Sequence, residues 1–108
     1  MTSRRGKVYF RDILAGFIFE DENGYAFQYD PEYLDDSKLP AISFTLPKQK
    51  ETFHSKVLFP FFDGLIPEGW LLGITHTVWK VDRKDRFGIL LAVCKDCIGA
   101  VSVQGQEK

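Results

Sequence analysis

The sequence predicts an α+β domain: a small antiparallel β-sheet, or partly closed barrel, of about five strands with three short helices packed against it. Three observations carry this. Short apolar runs broken by turn residues fill the amino-terminal half, the pattern of strands. Beyond Phe59 the apolar residues recur at helical spacing. A last apolar run, Ile98 to Val103, returns to strand character before a polar end, Gln104 to Lys108. With no repeat or linker in 108 residues, the expectation is a single domain, with 1–6 and 104–108 as flexible tails.

Val8-Tyr9-Phe10, flanked by Lys7 and Arg11, reads as the first strand. Leu14 to Glu20 is a second, apolar on both faces, and Tyr25 to Tyr29 a third. Glu22-Asn23-Gly24 lies between these two. A two-residue Asn23-Gly24 loop would set Phe27 opposite Glu20 and waste the aromatic. A three-residue loop with Gly24 left-handed sets Phe19 opposite Phe27 and Phe17 opposite Tyr29, and this register is the expected one. Asp30 to Asp36 is a polar turn in which Pro31 can begin one helical turn. Pro40 opens a fourth strand, Ile42 to Leu46, with Ile42, Phe44 and Leu46 inward and Ser43 and Thr45 outward. Pro47 ends it. Lys48 to Ser55 follows as a polar loop expected to be mobile.

The stretch from Phe59 to Trp70 organises the chain, with four aromatics, two prolines and two glycines in twelve residues. Phe61, Phe62, Leu65 and Ile66 share one face of a short buried helical turn. Pro67 stops that turn and suits the start of the next helix, where Glu68 meets the positive end of the helix dipole. This makes a helix–kink–helix corner with Gly69 and Trp70 at its apex. From Glu68 to about Val81 a helix carries Leu71, Ile74, Thr75 and Val78 as its apolar stripe. Asp82 or Asp85 can cap a further helix, in which Phe87, Leu90, Leu91 and Cys94 follow one face.

Composition excludes several classes. The apolar share is 44%, with ten Phe, which argues against disorder. Net charge is −1 with both signs interspersed, so neither a nucleic-acid footprint nor a membrane-surface patch is expected. The basic start, Met1 to Lys7, lacks the apolar stretch of a signal peptide, and Ile89 to Cys94 is too short to span a bilayer. A soluble, cytoplasmic domain is the expectation.

Candidate chemistry is sparse. Cys94-Lys95-Asp96-Cys97 is a C-x-x-C motif and invites a redox reading. Reactive motifs of that kind place the first cysteine at a helix amino terminus, whereas Cys94 falls at the end of a helix and on its apolar stripe. Two small buried side chains is the plainer reading. A zinc site would need His54 and His76 beside those cysteines, and their separation fits no finger-like spacing. Neither a G-x-S-x-G elbow nor a glycine-rich phosphate loop occurs, and Gly64, Gly69 and Gly73 do not match one. Lys80, Arg83, Lys84 and Arg86 are interleaved with Asp82 and Asp85, as at a solvated helix junction. No catalytic residue, metal or cofactor is expected. Trp70 differs: an aromatic at the tip of a rigid corner is suited to anchor an interface, against the alternative of a partly buried core aromatic. The partner-binding candidates are Trp70, Gly69, Glu68, Pro67 and Asp63.

Phe61-Phe62-Asp63-Gly64-Leu65-Ile66-Pro67-Glu68-Gly69 resembles the "FFDxLLPEG" signature of the amino-terminal subdomain of HipA-type toxin kinases. Two more blocks agree in order. Phe27 to Leu34 followed by Ile42 to Pro47 is similar to that family's "F.Y..EWL … LSLSLP" segment. Asp85 to Leu91 and Asp96 to Val101 are similar to its "D.F.LL…GRDc.GAV" segment. The resemblance runs from about Lys7 to Val103 and implies a non-catalytic unit that sits on a kinase core. That core would follow Gly99-Ala100-Val101, so the machinery of phosphoryl transfer is expected to lie outside this sequence. A free-standing chain of this extent is similar to the HipS proteins of HipBST toxin–antitoxin systems. The likeness implies an antitoxin that binds and inhibits a HipT-type Ser/Thr kinase, with a HipB-type DNA-binding protein as a further partner in a ternary complex. Trp70 departs from the long HipA-type toxins, which lack an aromatic there. Two alternatives stand beside this reading: the amino-terminal scaffold domain of a longer HipA-type kinase, and a small C-x-x-C redox protein.

Overall fold

Alternation in the amino-terminal half becomes three consecutive antiparallel strands: β1 (Arg4–Phe10), β2 (Ile13–Asp21) and β3 (Gly24–Tyr29). The computed structural model describes residues 4–66, 84–94 and 100–106. The remaining elements are α1 (Pro31–Asp35), β4 (Phe53–Ser55), α2 (Pro60–Asp63), α3 (Arg86–Val93) and β5 (Val101–Gln106). All neighbouring strands pair antiparallel in an open five-stranded sheet of order β4-β3-β2-β1-β5. The α+β class is as expected, with three helices among the described residues.

Register decides which face is buried. Gly6, Val8, Ile18, Phe27, Tyr29 and Val103 share one face, because Gly6 pairs with Ile18, Ile18 with Phe27, and Val8 with Val103. Val8, Ile18, Phe27 and Val103 are fully buried there against Phe62, Phe87 and Leu90. Gly6 admits Leu91 of α3 closely: a Cβ at that position would lie 2.8 Å from Leu91 Cδ2. The absence of a side chain therefore lets α3 settle on β1.

Several expectations are corrected. The β2–β3 loop has two residues, Glu22-Asn23, closed by Asp21 opposite Gly24, so Ile18 faces Phe27 and Phe19 faces Ala26. The Asn23 N–H donates to Asp21 Oδ1 at 2.8 Å, and Gly24 takes a positive φ of 132°. The aromatic pairing anticipated between Phe19 and Phe27 would have turned Phe17 and Phe19 into the core in place of Ile18, since a one-residue slip exchanges the two faces. Phe17 and Phe19 instead stack on each other along the opposite face, with ring centroids 6.4 Å apart.

The predicted strand Ile42–Leu46 is a tight turn. The Leu46 N–H donates to the Ser43 carbonyl at 3.1 Å, so Ile42 and Leu46 are buried while Phe44 points to solvent. The fourth strand comes from the segment read as a polar loop: Phe53 pairs with Phe27 and Ser55 with Tyr25. Phe53 earns its place by stacking on Phe27 at 6.3 Å.

At the sheet's other edge β1 and β5 pair from Phe10–Val101 to Arg5–Gln106, so residues 4–6 and 104–106, read as tails, lie in strands. The predicted last strand began at Ile98; β5 begins at Val101, and 95–99 lie outside the described residues.

Candidate partner-binding surface

Elements around the Phe59 corner follow the local signals. Pro60 occupies the first turn of α2, and the Asp63 N–H donates to the Phe59 carbonyl at 3.0 Å. Leu65 and Ile66 continue with bonds to the Phe62 and Asp63 carbonyls at 3.0 and 3.2 Å, a tightening turn. Phe62 is fully buried, and its ring meets Phe27, Phe59 and Phe61 at 5.6, 6.1 and 5.2 Å. The expected helical face of Phe61, Phe62, Leu65 and Ile66 is thus a core face: Phe62 and Ile66 are buried and the other two pack partly against them.

Of the expected partner-binding residues, Asp63 is described; Pro67, Glu68, Gly69 and Trp70 lie outside the described residues, as does the helix expected from Glu68 to Val81. Asp63 already has a structural engagement. Its Oδ1 accepts from Arg86 Nε at 2.6 Å, with both side chains 42% exposed, tying the end of α2 to the start of α3. A half-exposed pair of this kind orients α2 against α3 more than it stabilises the fold.

The neighbouring Asp85 belongs to a tighter network that sequence reading missed. It caps α3 by accepting from the Gly88 N–H at 3.1 Å, as expected of an acidic N-cap. Its two oxygens also take Arg4 Nη1 at 2.7 Å and Nη2 at 2.9 Å. Arg4 in turn reaches Glu20, with Nε–Oε1 at 2.7 Å and Nη2–Oε2 at 2.9 Å, and lies over the Phe87 ring at 5.3 Å. One guanidinium therefore forks onto two carboxylates and joins β1, β2 and α3. Hydrogen bonds from Arg4, then from the Gly88 N–H, hold the Asp85 carboxyl below its ordinary range, against the opposing effect of burial. No local periodicity marks Arg4, which stands in a stretch that composition assigns to a tail.

Cys94 ends α3 fully buried, its Sγ 3.5 Å from the Leu65 carbonyl. That is the carbonyl end of a helix, opposite to the setting of reactive C-x-x-C cysteines. Cys97 and His76 lie outside the described residues. Among the described residues no three His, Cys, Asp or Glu side chains cluster as metal ligands, and no helix is long and apolar enough to cross a membrane.

This is an open-sheet α+β domain in which, among the described residues, Arg4 with Glu20 and Asp85, and Arg86 with Asp63, form ion pairs between elements. The chain belongs to the HipA N-terminal domain family, whose model matches residues 6–104. A solved structure described as the N-terminal domain of HipA toxin superposes with a TM-score of 0.73 at 32% identity, covering 97% of this chain and 94% of that one. An uncharacterized protein of Haemophilus influenzae is 35% identical over 105 residues, 97% of this chain and 95% of its own length. The Sinorhizobium fredii protein called "Putative kinase Y4mE" is 29% identical across 100% of this chain, which corresponds to only 26% of that longer protein.

Proposed function

We propose that the chain is a non-catalytic, cytoplasmic antitoxin-type subunit that binds a HipT-type Ser/Thr kinase and restrains it, with a HipB-type DNA-binding protein as a further partner. One observation carries this reading. The same domain accounts for nearly the whole of a small Haemophilus protein and for about a quarter of a much longer kinase-named chain. A unit found both inside such a chain and at nearly the length of a separate protein is suited to engage a kinase in trans.

Restraint requires that the subunit bind an inactive arrangement of the kinase better than the active one. The segment after α2 is the proposed contact, with Trp70 as its anchor and Pro67, Glu68, Gly69 and Asp63 as further contact residues; Asp63 is the member that pairs with Arg86. Docked near the phosphate-binding region or interlobe cleft, it would hold that region in an unproductive shape.

Co-expression with a HipT-type kinase tests the reading. The chain is expected to restore growth and to co-purify with the kinase, and kinase toxicity undiminished by the chain defeats the proposal. In the same assay Trp70→Ala is expected to weaken binding roughly thirty- to a thousand-fold while keeping its melting temperature. A variant that melts far lower, or still inhibits fully, returns Trp70 to the core. The match to the Sinorhizobium protein supports a second reading, a scaffold domain within a longer kinase. A reading frame running on past Lys108 into a kinase would decide for it.

A further inference from the structure

Phe44 is the most exposed large apolar side chain among the described residues, at 105% of its reference area. Single exposed apolar residues are common and by themselves mean little. The support beneath this one is hydrogen-bonded within the turn and at both stems. Across the turn, the Ser43 carbonyl accepts the Leu46 N–H, and Ser43 Oγ accepts the Thr45 N–H at 3.2 Å and meets Thr45 Oγ1 at 3.1 Å. Both stems are pinned from below by one buried group. The Tyr29 hydroxyl accepts the Ile42 N–H at 3.0 Å and donates to the Leu46 carbonyl. Ile42 and Leu46, at 6% and 2% exposure, hold the stems in the core. Folding therefore fixes the support and leaves the ring in water. A ring on a pre-shaped support loses little freedom when a partner covers it, which is the profile of an interface anchor.

We propose that Phe44 inserts into an apolar pocket on the partner kinase, as a second anchor separate in sequence from the Trp70 corner; this rests on the function proposed above. Two observations select the occupant. The domain aligns end to end within a longer chain named as a kinase, so a protein of that kind is the polypeptide such a domain adjoins. A second copy of this chain is a poorer fit at the depression among the described residues that Ile13, Leu14, Pro31, Tyr33 and Leu39 line, because Asp30, Glu32 and Asp36 line it too. Carboxylates that would lose their water to a phenyl ring oppose its entry.

Purified full-length chain, wild type and variants, is titrated against a purified HipT-type kinase by calorimetry, with melting temperature and sedimentation measured on the same samples. Phe44→Ala is expected to keep its melting temperature and to bind roughly thirtyfold or more weakly, and Phe44→Leu to recover part of the loss. Val57→Ala, at a position 66% exposed, is the control and should bind like wild type. Phe44→Ala binding within about threefold of wild type overturns the role of Phe44 and leaves the proposed function standing. A wild-type dimer that Phe44→Ala dissociates, with kinase affinity unchanged, overturns it in favour of self-association. Wild-type chain that does not bind the kinase at all sinks the proposed function, and this anchor with it.

Discussion

Tyr29 shows how much one residue can organise. Its ring is 2% exposed, edge-on to Phe27 at 4.9 Å and stacked on Tyr33 at 5.8 Å, while its hydroxyl serves both stems of the Phe44 turn. A phenol carries its proton at neutral pH and so can donate to Leu46, and burial pushes this one above its ordinary range, so it keeps the proton further into the alkaline range. Tyr29→Phe keeps the packing but leaves the Ile42 N–H and the Leu46 carbonyl without this partner. The expected cost is about 1–3 kcal/mol of stability, read as a lower denaturant midpoint with an unchanged slope. Hydrogen exchange should quicken at Ile42. An unchanged midpoint would mean that the turn is held by its own Ser43 bonds alone. Tyr33 makes a smaller version of the same connection, its hydroxyl donating to the Pro40 carbonyl at 2.6 Å and so tying α1 to the entry of the turn.

Among the described helices, α3 has the partner most distant in sequence, Arg4 of β1. Leu90 and Phe87 are fully buried, Phe87 meets Tyr25 at 5.6 Å, and the helix begins at an Asp85 that Arg4 holds from β1. The network makes stability depend on pH in a definite direction. The Asp85 carboxyl lies lower in the folded chain than in the unfolded one, so its contribution is present above the unfolded value of about 4 and is lost as pH falls through the folded one. The pair is about a third exposed, and its contribution is therefore roughly 1 kcal/mol rather than several. Wild-type protein should lose stability on acidification from about pH 5 toward about pH 2 more steeply than Arg4→Met, in which Asp85 has lost its partner. Parallel melting curves for the two proteins across that window would count against the network. High salt should narrow the difference.

For the whole molecule, the sheet is open and the helices supply one side of its core. With a net charge of −1, no phosphate-cradling loop in the sequence and a membership in the HipA N-terminal domain family, the isolated chain is expected to bind neither ATP nor duplex DNA. Calorimetry with ATP should show no saturable heat, and a labelled duplex should keep its mobility. Saturable binding of either would move the function toward the nucleotide or the operator and away from the protein partner.

The class, the three-stranded start, the turn of helix at Pro31 and the helices at Pro60 and Arg86 were legible in the sequence. These rest on short-range physics: alternation along a strand, a proline at a first helical turn, an acidic N-cap three residues before the N–H it accepts. The aromatic face of α2 was legible for the same reason, since its spacing has one geometric reading. What only the tertiary structure decided is where segments distant in sequence meet. The β2–β3 register turns on whether Ile18 or the Phe17–Phe19 pair is buried, and local pairing preferences favoured the wrong face. Phe44 stands in phase with Ile42 and Leu46, as on one face of a strand, yet the Tyr29 hydroxyl closes those neighbours into a turn and sends the ring outward. Phe53 stands in a polar run that a window of neighbours assigns to a loop, until Phe27 offers it a stacking surface. Arg4 became the hinge of three elements for the same reason: its partners, Glu20 and Asp85, lie 16 and 81 residues away. Local pattern sets which elements form, whereas the energy of burying one face against another sets how they pair, and that energy belongs to no single segment.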